Sequence, residues 1–340
     1  MPPDNKPERY VDMDIMVGKK YQLLKKLGEG SFGLLYKGLN IETNEPVAIK
    51  LELTEGNHQP SLRFEYASYK RLQVDQVTVV GFPSLFYFGP YVAEKRFDAL
   101  VLELLGHSIE DLFDKCNRRF SLKTILQIVI QILSRMEHVH KAGIVHRDIK
   151  PENFMFGRPA SESKAILHVI DFGLAKHYLE DGKHIRQERS KGCLGTARYM
   201  SINTHLGKTQ SRRDDLEALG YMFVYLFKGR LPWQGLAGAG AERYDNILKV
   251  KKETSPEDLC KGLPNEFEQY LKTVRKLGFE EAPDHSDLRN MFIRVFDRKK
   301  FEKDSIYDWT AMLENAGSVG PVNNKDSPSN VKIQAQSRQF

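Results

Sequence analysis

Residues Leu27-Gly28-Glu29-Gly30-Ser31-Phe32-Gly33 spell a G-x-G-x-x-G loop. Glycines at that spacing let backbone amides approach phosphate oxygens with no Cβ in the way. The loop alone is ambiguous, because dinucleotide-binding folds use the same spacing to open a helix. Here Leu34-Leu35-Tyr36-Lys37-Gly38 and the turn residues after it read as a hairpin, so a flap over phosphates is expected. Val47-Ala48-Ile49-Lys50 lies on the strand beyond that hairpin, and Glu65 follows on an amphipathic helix. A desolvated lysine needs an anion to stay charged. Glu65 is therefore expected to hold Lys50 while Lys50 meets nucleotide phosphates.

Two further runs, His146-Arg147-Asp148-Ile149-Lys150-Pro151-Glu152-Asn153 and Ile170-Asp171-Phe172-Gly173, supply the remaining groups. Phosphoryl transfer to a hydroxyl needs a carboxylate to orient the attacking oxygen, and oxygen ligands for Mg²⁺. Asp148 suits the first role, and Asp171 and Asn153 the second. Lys150, two residues after Asp148, can reach the transferred group. His146 is expected to prop the loop from the core.

The elements around these residues change character along the chain. From about 21 to 105 the hydrophobic period is mostly two: Val47, Ile49, Leu51 and Leu53 alternate with Ala48, Lys50 and Glu52, and 99–105 reads as a strand ending at Gly106. One helix interrupts, with Leu62, Tyr66, Tyr69 and Leu72 on its apolar face. Beyond Gly106 the patterns are helical. A helix over 121–141 has Ser121 available as its cap and Gly143 just past its end, and another over 214–228 is apolar enough to be buried. Residues 1–20 read as a loose extension and 315–340, rich in Gly, Ser, Asn, Gln and Pro, as a disordered tail.

Composition excludes several classes. Among 340 residues, 41% are hydrophobic and 28% charged, with a net charge of +6, which suits a globular protein. No apolar run approaches the ~20 residues of a membrane-spanning helix. Three scattered cysteines (Cys116, Cys193 and Cys260) suggest neither a disulfide framework nor a zinc site. The start, Met1-Pro2-Pro3-Asp4, has neither signal-peptide character nor a myristoylation glycine, so a reducing, cytoplasmic setting is expected. No nucleic-acid partner is expected.

Taken in order, these motifs resemble the eukaryotic protein kinases, and within them the casein kinase 1 family, over about residues 21–310. The more specific markers are Leu104-Leu105-Gly106, Gly195-Thr196-Ala197-Arg198-Tyr199-Met200-Ser201-Ile202-Asn203, Ser211-Arg212-Arg213-Asp214-Asp215-Leu216-Glu217 and Leu231-Pro232-Trp233-Gln234-Gly235-Leu236. The wording Phe154-Met155-Phe156-Gly157-Arg158-Pro159 and Glu217-Ala218-Leu219-Gly220 leans to gamma-type members. The resemblance implies an α+β, bilobal fold: a small β-rich lobe with one helix over about 21–105 and a larger helical lobe over about 106–314. It implies ATP and Mg²⁺ as cofactors and transfer to Ser or Thr of protein substrates. Leu27, Gly28, Gly30, Ser31, Gly33, Leu35 and Ala48 would then enclose the nucleotide, with Leu102 as gatekeeper and Glu103 and Leu105 as hinge. Asp215 would brace the catalytic loop from its buried helix.

The family favours substrates with acidic or phosphorylated residues before the acceptor, and Arg147, Lys176, Lys191 and Arg198 fall at positions resembling its anion sites. Charge-assisted hydrogen bonds, best made by Arg, are the physical reason. After Gly235 this chain departs from the family. Leu236-Ala237-Gly238-Ala239-Gly240-Ala241-Glu242-Arg243-Tyr244 keeps only Arg243 where relatives are basic, so a weaker preference for phosphorylated substrates is expected. Ser201-Ile202-Asn203 stands where most kinases have Ala-Pro-Glu and lacks the Glu that pairs with a distant Arg, so another contact must anchor the segment. Activity without activation-loop phosphorylation is implied. A catalytically silent scaffold is the alternative, and the presence of Lys50, Asp148, Asn153 and Asp171 together argues against it.

Overall fold

The computed structural model describes residues 16–30, 33–54, 61–73, 79–92, 96–189 and 194–317. Six antiparallel strands open the chain: β1 (Met16–Val17), β2 (Tyr21–Gly30), β3 (Gly33–Asn40), β4 (Glu45–Leu53), β5 (Leu85–Val92) and β6 (Arg96–Glu103), in the spatial order β1-β2-β3-β4-β6-β5. The sheet thus begins at Met16, inside the stretch read as an extension, because Val17 pairs with Tyr21 and is fully buried. Residues 1–15 lie outside the described residues. Alternation sorts β4 as expected: Val47, Ile49 and Leu51 pack with Tyr21, Tyr91, Ala99 and Val101 on one face of the sheet. The other face receives helix α1 (Ser61–Leu72).

Helix α1 corrects the sequence reading in one respect. Its buried side is Leu62, Glu65, Ser68, Tyr69 and Leu72, while Tyr66 is only partly buried and stacks on Phe88 at 4.5 Å. A carboxylate displaces an aromatic from the inner stripe because Lys50 waits beneath it.

The C-terminal lobe contains α2 (Ile109–Lys115), α3 (Leu122–Lys141), α4 (Ile202–His205), α5 (Arg212–Lys228), α6 (Gly240–Glu253), α7 (Pro256–Leu259), α8 (Asn265–Lys276), α9 (His285–Arg298) and α10 (Thr310–Gly317). Two-residue and three-residue strands line the junction: β7 (Ile144–Val145), β8 (Phe154–Phe156), β9 (Leu167–Val169), β10 (Lys176–His177), β11 (Leu179–Glu180) and β12 (Lys183–His184). Ser121 caps α3 as its sequence suggests, accepting from the Thr124 amide at 3.2 Å. Helix α5 is buried from Asp214 to Leu226 on every side, and Gly229 closes it in the left-handed region, with φ +80°. It forms the axis of the lobe. At the far end, Tyr307 and Trp309 stack at 4.8 Å and cover Phe156, and Trp309 also meets Phe120. Helix α10 carries regular structure to Gly317, past the expected boundary at 314; residues 318–340 lie outside the described residues.

Candidate active site

The loop after β7 is held by α5. Asp215, in the first turn of that helix, accepts from the amides of His146 at 2.8 Å and Arg147 at 2.9 Å, and meets His140 Nε2 at 3.0 Å. Burial raises the Asp215 carboxyl, but the contact with His140 and the nearby positive groups outweigh it and hold it below the ordinary carboxylate value. The brace lets Arg147 take a left-handed backbone, φ +68°, which a long side chain seldom adopts. Its guanidinium bridges to the next segment, Nε donating to the Leu174 carbonyl at 2.6 Å and Nη2 to that of Ala175 at 3.3 Å. His146 is fully buried and props the loop: with its proton on Nε2 it donates to the Ile170 carbonyl at 3.0 Å and accepts the Asp148 amide on Nδ1 at 3.3 Å.

Asp148 is thereby aimed at a small ring of donors. Its carboxylate accepts from Lys150 Nζ at 2.6 Å, Thr196 Oγ1 at 2.8 Å and Asn153 Nδ2 at 3.3 Å; that same Asn153 nitrogen donates to the Asp148 carbonyl at 2.8 Å. Gly195, φ +105°, passes so close that a Cβ there would lie 2.4 Å from the Arg147 carbonyl oxygen, so only glycine lets Thr196 reach Asp148.

Across the cleft, Lys50 Nζ donates to Glu65 Oε1 at 2.6 Å and to Asp171 Oδ1 at 3.3 Å. The Lys50 and Asp171 side chains each keep 22% of their surface exposed, while Glu65 keeps 2%. Burial opposes the Lys50 charge, and the Glu65 and Asp171 carboxylates more than offset it, so its pKa is raised. Burial likewise pushes Asp171 up, and Lys50, His146 and Lys150 bring it below the ordinary value. Glu65 is held above the ordinary carboxylate value by burial, which Lys50 beside it only partly counters. Asp171 is the second left-handed residue of the site, φ +65°. It is fixed by Phe172, which is fully buried against Tyr69, Phe82 and His146, and by its amide donating to the Tyr69 hydroxyl at 3.3 Å.

The glycine loop is the hairpin the sequence suggests. Strands β2 and β3 pair from Tyr21↔Asn40 to Gly30↔Gly33, with Gly28 opposite Leu35. Gly33, φ +113°, lies where a Cβ would come 2.1 Å from the Leu51 carbonyl oxygen. Leu35 pairs with Lys50, Ala48 faces Leu102 across the sheet, and Leu27 stays 48% exposed. Leu102 and Leu105 are buried, and Glu103 is tied to Ser84, whose amide donates to its Oε2 at 3.2 Å. Ser31 lies outside the described residues.

The protein kinase domain description matches residues 21–280. The chain is also 45% identical over 305 residues to casein kinase I homolog 3 of Schizosaccharomyces pombe, covering 89% of this chain and 68% of that protein. It is 44% identical over 317 residues to casein kinase I homolog 1 of Saccharomyces cerevisiae, covering 92% of this chain and 57% of the relative. The chain belongs to the casein kinase I group of protein kinases. It is accordingly an ATP-dependent serine/threonine protein kinase, built on the bilobal fold its motifs imply.

Three of the four expected anion-site residues lie among the described residues. Arg147 and Lys176 share the neighbourhood of β7 and β10, where Lys176 pairs with Val145, and Arg147 commits two nitrogens to backbone carbonyls. The Arg198 guanidinium stands 5.6 Å over the Tyr199 ring and 5.5 Å over that of Tyr225, whose hydroxyl donates to Glu110 at 2.7 Å. Lys191 lies outside the described residues.

The anchor of the Ser-Ile-Asn segment is now identified. Ser201 Oγ donates to Asp214 at 2.5 Å, and the Ile202 amide donates to Glu217 Oε1 at 3.2 Å, with Arg275 Nε 3.6 Å from the same oxygen. The missing Glu is thus supplied from within α5. Thr196, Tyr69 and His140 were not assigned roles from sequence. Thr196 is visible inside the Gly-Thr-Ala-Arg wording and Tyr69 on the apolar face of its helix, whereas His140 carries no local signal. No described helix is long and apolar enough to cross a membrane.

Proposed function

We propose that this casein kinase I member moves the γ-phosphoryl group of ATP, with Mg²⁺, to Ser or Thr of proteins that carry acidic or phosphorylated residues before the acceptor. The observation that carries the reading is the convergence of Lys50, Glu65 and Asp171 opposite an Asp148 carboxylate already held by Lys150 and Thr196. Asp148 orients the substrate hydroxyl and takes its proton, and Lys150 offsets charge on the transferred oxygens. Lys50 positions the phosphates, and the hairpin of β2 and β3 covers them. The donor set suits Mg²⁺: Asp171 offers an ionised carboxylate, and Asn153, with its nitrogen spent on Asp148, has its carbonyl oxygen left for a hard cation. Bound there, the ion neutralises charge on the phosphate oxygens.

Asp148→Asn is expected to lower the turnover of casein and of an acidic Ser peptide by about 10²–10⁴-fold while ATP affinity stays within a few-fold. Wild-type turnover in that variant sinks the assignment. The preference for acidic substrates rests on Arg198, and the loss of basic residues across 236–244 makes it weaker for phosphorylated sites; an acidic peptide and its neutral counterpart turned over equally would refute it. Activity without phosphorylation of the activation segment follows from anchoring by Asp214 and Glu217, neither of which needs a phosphate. Phosphatase treatment should leave turnover unchanged, and its abolition would count against the reading.

A further inference from the structure

Helix α6 sends one side chain, Lys251, entirely out of solvent. Lysine usually buries its stem and leaves its ammonium wet. Here Nζ donates to the Ala197 carbonyl at 3.0 Å and the Met200 carbonyl at 2.6 Å, and meets His205 Nε2 at 3.1 Å. The rings of Tyr221 and Trp233 close over it at 4.9 and 5.1 Å. Burial pushes the Lys251 amino group well below its ordinary pKa, and all three of its polar partners belong to one segment, 197–205. None of them belongs to α6 or its own capping. A methionine would fill the same apolar sleeve, so the nitrogen is present for the carbonyls.

Those carbonyls bracket Arg198. That of Arg198 itself is taken by Trp233 Nε1 at 2.7 Å. Carbonyls 197, 198 and 200 are therefore held by two side chains, and the Arg198 guanidinium on the same stretch lies over the rings of Tyr199 and Tyr225. We infer that Lys251 is a positioning residue for substrate binding: it sets the backbone of the 197–205 segment, and through it the place where a protein substrate docks. The inference rests on the reading of that segment as the substrate side of the cleft.

The test compares Lys251→Met, Lys251→Arg and Arg198→Gln with wild type, on an acidic Ser peptide and its neutral counterpart. Lys251→Met should raise KM for both peptides about tenfold and leave KM for ATP within about twofold, because a displaced segment misplaces the substrate and not the nucleotide. A lysine that only stabilised the fold would lower the melting temperature and the active fraction, hence apparent kcat, with peptide KM unmoved. That result overturns the inference. If Lys251→Met does not fold, Lys251→Arg decides: its planar fork cannot serve three acceptors grouped about one atom, so peptide KM should still rise several-fold, and a wild-type KM refutes the proposal. Arg198→Gln reports separately on anion recognition, through the ratio of acidic to neutral peptide. Its failure to change that ratio removes the anion reading and leaves the Lys251 result to stand or fall by peptide KM.

Discussion

Lys50 and Lys251 are both withdrawn from bulk water, in different lobes and with different partners. Lys50 gives its ammonium to two carboxylates, Glu65 and Asp171, and keeps part of its surface open to the cleft. Lys251 sets its amino group against two backbone carbonyls and an imidazole, inside an aromatic sleeve, where burial disfavours its charge. The contrast follows from what each must do. A lysine that must accept phosphate oxygens needs partners of comparable charge that can share it, and the longer contact at 3.3 Å to Asp171 is the one suited to exchange. A lysine that only fixes backbone does better with uncharged acceptors, whose geometry is rigid and which no passing anion can displace.

The sharpest way to break the contrast is to remove each side-chain nitrogen in turn. Lys50→Met should lower kcat/KM for ATP by about 10²–10³-fold, as expected for a lost electrostatic clamp, with peptide KM nearly unchanged. Lys251→Met should show the reverse split. If both variants lose nucleotide and peptide binding alike, the division of labour is wrong.

A second variant probes the charged anchor next to the neutral one. Glu217 receives the Ile202 amide and the Tyr221 hydroxyl, at 2.5 Å for the latter, beside Arg275. Glu217→Gln keeps an acceptor but leaves the Arg275 guanidinium with the Tyr221 hydroxyl and no counter-charge, so unfolding in urea should reveal a loss of about 1–3 kcal/mol. An unchanged midpoint would show that the ion pair is idle.

The smallest expected effect is in pH dependence. Burial, with Lys251 adjacent, holds His205 down at about 3, and burial with His140 adjacent holds His285 at about 4. Between those values and the ordinary 6.5 the unfolded chain binds more protons than the folded one, so stability rises with pH and is lost on acidification. Asp214, pushed by burial up to about 6, has the opposite slope below that pH, because there the folded chain holds the extra proton. His205→Gln retains an acceptor for Lys251 and should reduce the positive slope by about one proton between pH 4 and 6. An unaltered slope would mean that His205 is charged in the folded protein.

Much of this was written locally in the chain. The period-two strands, the cap at Ser121 and the order of the four phosphate motifs depend on near neighbours, and the structure reproduces them. Glu65 was legible because a buried lysine demands a counter-charge, although helical periodicity alone favoured Tyr66 on the inner face. Lys251 was not legible. In Lys249-Val250-Lys251-Lys252 it reads as one of several solvated charges, and only the docking of α6 against Trp233 and Tyr221, 18 and 30 residues earlier, takes it inside. The resting place of Arg198 was hidden for the same reason: the Tyr225 ring beneath its guanidinium comes from α5, well along the chain.

The stacked pair Tyr307 and Trp309 bears on how much chain an isolated catalytic unit requires. The general kinase match stops at 280, yet beyond it Phe292 of α9 packs on Phe223, Phe267 and Tyr270, and the stacked pair roofs Phe156 and Phe120. Recombinant fragments ending at that point would bare a strip of aromatic surface on the lobe that bears Asp148, and would be prone to self-association. A working minimal enzyme has to be cut downstream of Trp309.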